Sequence, residues 1–198
     1  MALDEQYWES RYQNQNTGWD AGSITIPIKE YIDQLKDKSI RILIPGCGNG
    51  YEAEYLFNQG FSNIFVCDLS EIPLNNLHKR CPGFPESHLL KKNFFELDIR
   101  VGLILEQTFF CAIDPSLRNA YAEKCFSLLS PDGKLAGLLF NDQLKTEGPP
   151  FGGTKEEYMK IFQPYFAFRY FDECYNSIKP RAGRELFVCL QKKLAINR

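Results

Sequence analysis

The chain has 198 residues, 44% of them hydrophobic and 24% charged, and its formal net charge at pH 7 is −2. This length fits one domain with its own core, so we expect residues 1–198 to fold as a single unit. The slightly acidic balance argues against a nucleic-acid partner, and no apolar run approaches the roughly 20 residues that span a bilayer. The acidic, polar N-terminus lacks the basic start and apolar core of a signal peptide, which predicts a cytoplasmic protein.

Seven cysteines and two histidines are the residues best suited to bind a transition metal. No C-x-x-C pair occurs among the cysteines, and structural zinc sites usually draw their ligands in such close pairs. The sequence therefore predicts no metal site. An odd number of cysteines in a chain without a secretion signal indicates reduced thiols, most of them small apolar residues of the core.

Short apolar runs rich in β-branched residues alternate along the chain with segments of helical period. The predicted strands are Ile40–Ile44, Asn63–Cys67, His88–Lys91, Val101–Leu105, Lys134–Phe140, Phe166–Tyr170 and Glu185–Leu190. The predicted helices are Tyr51–Gln59, Pro73–Lys79, Pro115–Leu129 and Lys155–Phe162. Gly60 is placed to cap the first of these helices, and Ser130–Gly133 is typical of a turn in which Gly133 takes the positive φ.

This alternation of strands and helices predicts a parallel sheet covered by helices on both faces. The last two predicted strands are joined by a tight connection around Pro180–Gly183, so they should pair antiparallel. The predicted fold class is therefore α/β: a doubly wound Rossmann-like sandwich, whose seven-stranded, mostly parallel sheet has an antiparallel C-terminal edge strand.

A glycine-rich loop, Pro45-Gly46-Cys47-Gly48-Asn49-Gly50, follows the first predicted strand and leads into a helix. Glycines let the backbone turn sharply and approach a ligand at the carboxyl end of the sheet. Asp68, 22 residues after Gly46, ends the next strand, where its carboxylate can accept both hydroxyls of a ribose. A dinucleotide fingerprint would need glycine in place of Tyr51, which disfavours a nicotinamide cofactor. A compact G-x-G-x-G loop with such an acid is the arrangement of S-adenosylmethionine (SAM) methyltransferases.

Both tryptophans of the chain, Trp8 and Trp19, precede the first predicted strand. Trp8 and Tyr12 are four residues apart and would share one face of a helix, whereas Trp19 follows in a loop-like segment. Aromatic rings can hold a sulfonium ion by cation–π attraction and can close a crevice against water. We therefore interpret residues 1–25 as an N-terminal helical lid over a cofactor.

Several motifs, in one order along the chain, resemble the thiopurine S-methyltransferase family, most closely its plant-type halide/thiol methyltransferase branch. They are Trp8 and Tyr12, Trp19–Gly22, Ile44–Gly50, Asp68–Ser70, Glu106–Ile113, Leu129–Gly133 and Gly148–Phe151. The resemblance implies methyl transfer from SAM, with S-adenosylhomocysteine (SAH) as product. The acceptor it implies is a small soft nucleophile: a thiol, thiopurine, thiocyanate, sulfide or halide.

The resemblance also implies roles for individual residues. Its cofactor-binding set is Trp8, Tyr12, Trp19, Gly46, Cys47, Gly48, Asp68, Leu69, Asn93, Phe94 and Gln107. In this set the three rings flank the methionine part of SAM, Asp68 binds the ribose, and Asn93 and Phe94 contact the adenine. Gln107, in the loop after the fourth strand, stands where the family often has a tyrosine near the sulfonium, and is a candidate catalytic residue.

The acceptor would lie in a mostly apolar pocket formed by Gln107, Phe109, Phe110, Pro149, Pro150 and Phe151. Arg181 and Arg184, near the last hairpin, are further catalytic candidates, because they would supply a cationic field for a thiolate or bind an acidic substrate. The predicted partner is thus a small molecule, bound by a monomer or weak dimer. Two alternatives stay open. One is a noncatalytic SAM-binding domain, because Gln107 and a shortened 93–107 segment depart from the family pattern. The other is a nicotinamide-dependent oxidoreductase.

Overall fold

The computed structural model describes residues 2–144 and 147–194. The helices in these ranges are α1 (Glu5–Gln13), α2 (Ile26–Asp33), α3 (Tyr51–Asn58), α4 (Glu71–Arg80), α5 (Arg118–Leu128) and α6 (Lys155–Phe162). The strands are β1 (Ile42–Pro45), β2 (Ile64–Asp68), β3 (Leu89–Lys91), β4 (Val101–Gln107), β5 (Leu129–Phe140), β6 (Phe166–Glu173) and β7 (Glu185–Lys192). None of the described helices combines the length and the apolar character needed to cross a membrane.

The seven strands form one sheet in the order β3-β2-β1-β4-β5-β7-β6. Strands β1 to β5 pair parallel, and β7 is antiparallel to both of its neighbours, β5 and β6. The predicted doubly wound sheet with antiparallel pairing at its C-terminal edge is confirmed, with β6 outermost and the antiparallel β7 one position further in. The strand order reverses between β1 and β4, and in such sheets ligands bind beside the carboxyl ends of the strands at this point.

Two apolar layers pack against the two faces of the sheet, and β1 contributes to both. Leu43 belongs to the layer that contains α5 and α6, whereas Ile42 and Ile44 belong to the layer that contains α2, α3 and α4. Successive side chains of a strand point to opposite faces, so a central parallel strand covered on both sides is continuously apolar. This burial fixes the carboxyl end of β1, where the glycine loop begins.

The segment Ser130–Gly133 differs from its prediction as a turn before the fifth strand. Strand β5 runs through it, and the β4–β5 register passes from Val101 opposite Leu129 to Leu103 opposite Lys134, so that these four residues form a bulge. Asp132 has the positive φ of 61°, and the assignment of that conformation to Gly133 is wrong. Aspartate tolerates the left-handed region because its short side chain bonds the local backbone.

Two helices also differ from the sequence-based prediction. Helix α2 (Ile26–Asp33) was not predicted; it is only eight residues long, carries proline in its first turn and buries Ile28 and Ile32. Helix α5 begins at Arg118 rather than at Pro115, because a 3-10 turn capped by the Asp114 side chain precedes it. Gly60 follows α3 and has a φ of 85°, the left-handed conformation that is typical of a residue capping the C-terminal end of a helix, as predicted.

The cysteines are free, six of them buried and Cys189 partly buried, in line with the expected core thiols. Within residues 2–144 and 147–194, no group of three or more potential ligands is arranged to hold a metal ion.

Gly137 allows β4 and β5 to approach each other, because a Cβ atom there would lie 1.9 Å from the carbonyl oxygen of Glu106. We expect Gly137→Ala to lower the free energy of unfolding by about 2–3 kcal/mol, since one of the two backbones must move. Urea denaturation measures this loss. Gly18→Ala is the matched control, because no atom lies within 4 Å of its added Cβ. Equal stabilities of the two variants would contradict the prediction.

Candidate active site

A cavity of about 650 Å³ opens at the carboxyl ends of β1, β2 and β4. We call it the larger cavity; its volume is typical of small-molecule and cofactor sites. Ten of the predicted site residues line it: Trp8, Tyr12, Trp19, Gly46, Asp68, Leu69, Asn93, Phe94, Arg181 and Arg184.

The glycine loop forms the floor between this cavity and the N-terminus of α3. Gly46, Gly48 and Gly50 have φ values of 53°, 53° and 70°, a region that side chains rarely adopt. A Cβ atom on Gly46 would lie 2.2 Å from Cδ2 of Phe109. The loop therefore needs glycine both for its turn and for the close packing of the Phe109 ring.

Asp68 ends β2 and holds the glycine loop through its carboxylate. Its Oδ2 accepts a hydrogen bond from the Gly48 N–H at 3.1 Å, and its Oδ1 accepts one from the Ser70 N–H at 2.9 Å. Burial raises the pKa of the Asp68 carboxyl to about 6, while these backbone hydrogen bonds oppose the rise. Each carboxylate oxygen has a second lone pair, so the group can accept further hydrogen bonds from a ligand.

Asn93 and Phe94 continue the same wall after β3. The Oδ1 atom of Asn93 accepts the Phe95 N–H at 3.1 Å and so caps the short 3-10 helix Phe94–Glu96. The Phe94 ring is almost fully buried and meets Phe109 edge-on, with ring centroids 5.3 Å apart. This wall therefore offers an apolar face beside a polar amide, a combination that suits a flat heterocycle.

The predicted ring cluster forms around Trp19. The ring centroid of Trp19 lies 5.5 Å from that of Trp8 and 5.7 Å from that of Tyr12, both edge-on, and the Arg11 guanidinium lies over Trp19 at 5.6 Å. Burial raises the pKa of the Tyr12 phenol well above its usual value, so the hydroxyl stays protonated. The cluster thus faces the cavity with uncharged rings.

Helix α1 carries Trp8 and Tyr12 but has no fully buried side chain. Glu9 joins it to α4, because Oε2 accepts hydrogen bonds from the Ser70 hydroxyl at 2.5 Å and the Glu71 N–H at 3.2 Å. An exposed ion pair between Glu5 and Lys91, at 2.9 Å, adds to this contact. Polar contacts therefore hold much of the helix against the domain.

Of the predicted acceptor pocket, the larger cavity contains Phe109, Pro149 and Pro150. Phe109 packs beside Gly46 and Phe94, so we define the apolar end of the cavity by the two prolines. Phe110 instead belongs to the buried core, where its ring packs on Tyr121 and Tyr158. The other apolar residues at this end were not predicted from the sequence; Phe140 and Leu144 are examples.

Both candidate arginines border the apolar end, and each already has partners. Arg181 is buried; its Nη2 donates to the Trp19 carbonyl at 2.5 Å, and its Nη1 lies 3.6 Å from Oε1 of Glu185. Arg184 is half-exposed and pairs with Asp142 at 2.6 Å. A carboxylate therefore stands beside each guanidinium, Glu185 beside Arg181 and Asp142 beside Arg184.

Gln107 is the last residue of β4, so its expected position in the following loop is wrong. Its Oε1 accepts a hydrogen bond from the Thr25 hydroxyl at 3.1 Å. It lines a second cavity of about 50 Å³, here called the smaller cavity, together with the predicted residues Cys47 and Gly48. This position separates Gln107 from the ring-lined wall that it was expected to share.

Glu106 is a buried residue that sequence reasoning missed. Its Oε1 accepts the N–H groups of Phe109 at 2.7 Å and Phe110 at 2.9 Å, and its Oε2 accepts the Tyr121 hydroxyl at 2.6 Å. Burial raises its pKa to about 7. The carboxylate thereby shapes the loop that carries the Phe109 ring. The available signal was a glutamate that directly follows the apolar run Val101–Leu105.

The family model described as thiopurine S-methyltransferase matches residues 3–196 of the chain. A probable thiol methyltransferase 2 from Arabidopsis thaliana is 30% identical over 79% of this chain and 71% of its own length. A thiocyanate methyltransferase 1 from the same plant is 28% identical over 92% of this chain and 83% of its own length.

Among solved structures, a Burkholderia thailandensis 1,6-didemethyltoxoflavin-N1-methyltransferase with bound SAH is similar in fold. Its TM-score is 0.75 at 19% identity, over 96% of this chain and 87% of that one. The fold, the glycine loop with Asp68, and the family match over nearly the whole chain agree with one another. The chain belongs to the thiopurine S-methyltransferase family and is a SAM-dependent methyltransferase.

Proposed function

We propose that this enzyme methylates a small soft nucleophile: a thiol, thiopurine, thiocyanate, sulfide or halide. The observation that carries the proposal is the lining of the larger cavity, which combines the buried carboxylate of Asp68 with aromatic rings, prolines and two arginines. The names of the plant relatives, a thiol and a thiocyanate methyltransferase, support the same acceptor class.

The residues of the larger cavity suit SAM. Asp68 would accept hydrogen bonds from the ribose hydroxyls, with Leu69, Asn93 and Phe94 beside the adenine. Gly46 and Gly48 would let the backbone approach the rest of the cofactor. When bound, SAM supplies a methyl group activated by the positive charge on sulfur.

The three rings would flank the sulfonium, because desolvated cation–π contacts contribute about 2 kcal/mol or more. The edge-on packing of Trp8 and Tyr12 on Trp19 fixes these rings relative to one another. The rings would also keep water away from the reacting atoms. A site that holds donor and acceptor close together can lower the activation barrier by roughly 7–11 kcal/mol.

For the acceptor, Phe109, Pro149 and Pro150 would desolvate a soft, polarisable anion. Arg181, whose Nη1 has no hydrogen-bond partner among the described residues, would favour the thiolate form of a thiol, because a nearby cation lowers a thiol pKa, and Arg184 would add to this effect. Gln107 would act from the smaller cavity, by orienting the lid through its hydrogen bond with Thr25. A soft anion needs no general base once it is bound.

We also infer that residues 1–25 act as a lid, and that the enzyme works in the cytoplasm as a monomer or weak dimer without a nucleic-acid or membrane partner. The polar attachment of α1 through Glu9 supports the lid. Free cysteines support a reducing compartment, and the net charge of −2 supports the lack of a nucleic-acid partner.

Replacement of Asp68 tests the cofactor site. We expect Asp68→Ala to weaken SAH binding by about tenfold or more, the loss that follows from removing charge-assisted hydrogen bonds of 1.5–3 kcal/mol. Because burial raises the Asp68 pKa to about 6, wild-type affinity should also fall as the pH drops below 6 and the carboxylate is protonated. Isothermal titration calorimetry measures both effects.

Asp98→Ala is the matched control, because Asp98 is exposed and lies outside both cavities. Asp68→Asn keeps an acceptor for the backbone N–H groups of Gly48 and Ser70 and so separates loop support from ribose binding. An unchanged SAH dissociation constant in folded Asp68→Ala would refute the assignment.

Trp8 and Trp19 are the only tryptophans, so the intrinsic tryptophan fluorescence reports on the lid alone. We expect SAH to change the emission and to slow tryptic cleavage after Arg11, since lids commonly order when a ligand binds. Asp68→Ala is the control: at an SAH concentration near the wild-type dissociation constant, its about tenfold weaker binding should make both changes much smaller. If SAH binds with normal affinity and leaves both the emission and the cleavage rate unaltered, the segment is not a lid.

A substrate panel tests the acceptor class. We expect methylation of small thiols, sulfide, thiocyanate and iodide, and little methylation of alcohols, carboxylates or amines, because hydrated oxygen and nitrogen nucleophiles lose more solvation in an apolar pocket. The rate with a thiol should rise with pH toward the pKa of that thiol. The rate with iodide, which does not titrate, corrects for ionisations of the enzyme itself. A catechol or an amine methylated faster than every sulfur and halide acceptor would contradict the proposal.

A further inference from the structure

The smaller cavity adjoins the larger one at the glycine loop. Trp19, Gly46, Thr108 and Arg181 line both. Its volume of about 50 Å³ holds three to five water-sized groups if each needs roughly 10–15 Å³. The α-carbon, ammonium and carboxylate of an amino acid comprise five non-hydrogen atoms, which match that space.

Glu52, the second residue of α3, contributes a carboxylate to this cavity. The residue is only 6% exposed, and within residues 2–144 and 147–194 its carboxylate accepts a hydrogen bond from its own backbone N–H but forms no ion pair within 4 Å. Burial raises its pKa to about 7. Glutamate is almost never buried without a partner, because the desolvated charge is costly. The carboxylate therefore indicates a cationic ligand.

The charged groups around Glu52 do not supply that cation. The Arg181 guanidinium lowers the Glu52 pKa, but among the described residues it forms no ion pair with Glu52 within 4 Å. Its Nη2 donates to the Trp19 carbonyl, and its Nη1, which has no hydrogen-bond partner among the described residues, lies 3.6 Å from Oε1 of Glu185. Asp20 raises the Glu52 pKa, and the Cys47 thiol, whose own pKa the charge of Glu52 raises, is uncharged. The Asp20 carboxylate already accepts hydrogen bonds from Asn49 and Tyr51. These groups leave the surroundings of Glu52 with an excess of negative charge.

We propose that Glu52 binds the α-ammonium group of the methionine part of SAM within the smaller cavity. The inference rests on the proposed cofactor position, with the ribose at Asp68 and the sulfonium at the ring cluster. The chain of the cofactor beyond the sulfonium then follows Gly46 and Trp19, two of the four residues common to both cavities. Arg181, at the same junction, stays with the acceptor end and with the lid.

The test compares two ligands on two proteins. The ligands are SAH and an SAH analogue in which hydrogen replaces the α-amino group, and the proteins are the wild type and Glu52→Gln. Wild-type protein should bind SAH at least about tenfold more tightly than the deamino analogue. Glu52→Gln should lose that preference by binding SAH more weakly and the analogue unchanged. Calorimetry gives the four dissociation constants without any turnover.

Glu54→Gln is the matched control, since Glu54 lies on the same helix but pairs with Arg80 outside both cavities. It should keep the full preference for SAH. Equal weakening of both ligands by Glu52→Gln would overturn the inference and indicate a structural role. A wild-type protein that binds neither ligand would instead overturn the proposed function and this inference with it.

Proton release provides a second measurement, which needs no variant. Near pH 7 about half of the Glu52 carboxyls in the free protein carry a proton, and a bound ammonium would lower their pKa. SAH binding should therefore release more protons than binding of the deamino analogue, as read from binding enthalpies in two buffers of different ionisation enthalpy. The number of protons that Asp68 releases is the same with both ligands, because both contain the ribose, and so it cancels in the comparison. Identical proton release would overturn the inference.

Discussion

The hydrogen bond from the Gly48 N–H to Asp68 joins the two strand ends on which the cofactor side of the cavity depends. Strands β1 and β2 are fixed by apolar packing on both faces, and Cys47 anchors the loop after β1 in the same core, but the three glycines of this loop have no side chains of their own to pack. A carboxylate that accepts the loop N–H therefore replaces the side-chain contacts that glycine cannot make. The second hydrogen bond of Asp68, from Ser70, extends this support to the start of α4.

Three buried carboxylates near the strand ends, those of Asp68, Glu106 and Glu52, differ in how many of their hydrogen bonds the protein itself supplies. Glu106 accepts hydrogen bonds from two backbone N–H groups and from a phenol. These hydrogen bonds fix the loop that carries the Phe109 ring. Asp68 is held by two backbone N–H groups and keeps lone pairs directed elsewhere. Glu52 is also deeply buried, but within the described residues its carboxylate accepts a hydrogen bond only from its own backbone N–H. The degree of internal pairing therefore distinguishes groups that support the structure from those available to a ligand.

The parts of the site that follow from local rules were predictable from the sequence. The G-x-G-x-G loop and Asp68 each sit at the end of an apolar run, so their position at the sheet edge follows from strand order alone. Glu106 was not predictable, because its role depends on Tyr121, 15 residues away and brought to it only by the packing of α5. Gln107 was misplaced for a related reason: pairing with Leu138 extends β4 beyond its last apolar residue.

The hydrogen bond between Arg181 and the Trp19 carbonyl links the N-terminal segment to the acceptor end of the cavity. Trp19 therefore cannot shift without changing the environment of a guanidinium group that lines the larger cavity, where we propose that the acceptor binds. In thermodynamic terms, two ligands that bias one shared element are coupled, and the coupling is reciprocal. Occupation of the cofactor site should consequently change the affinity for the acceptor, and the acceptor should change the affinity for the cofactor by the same factor.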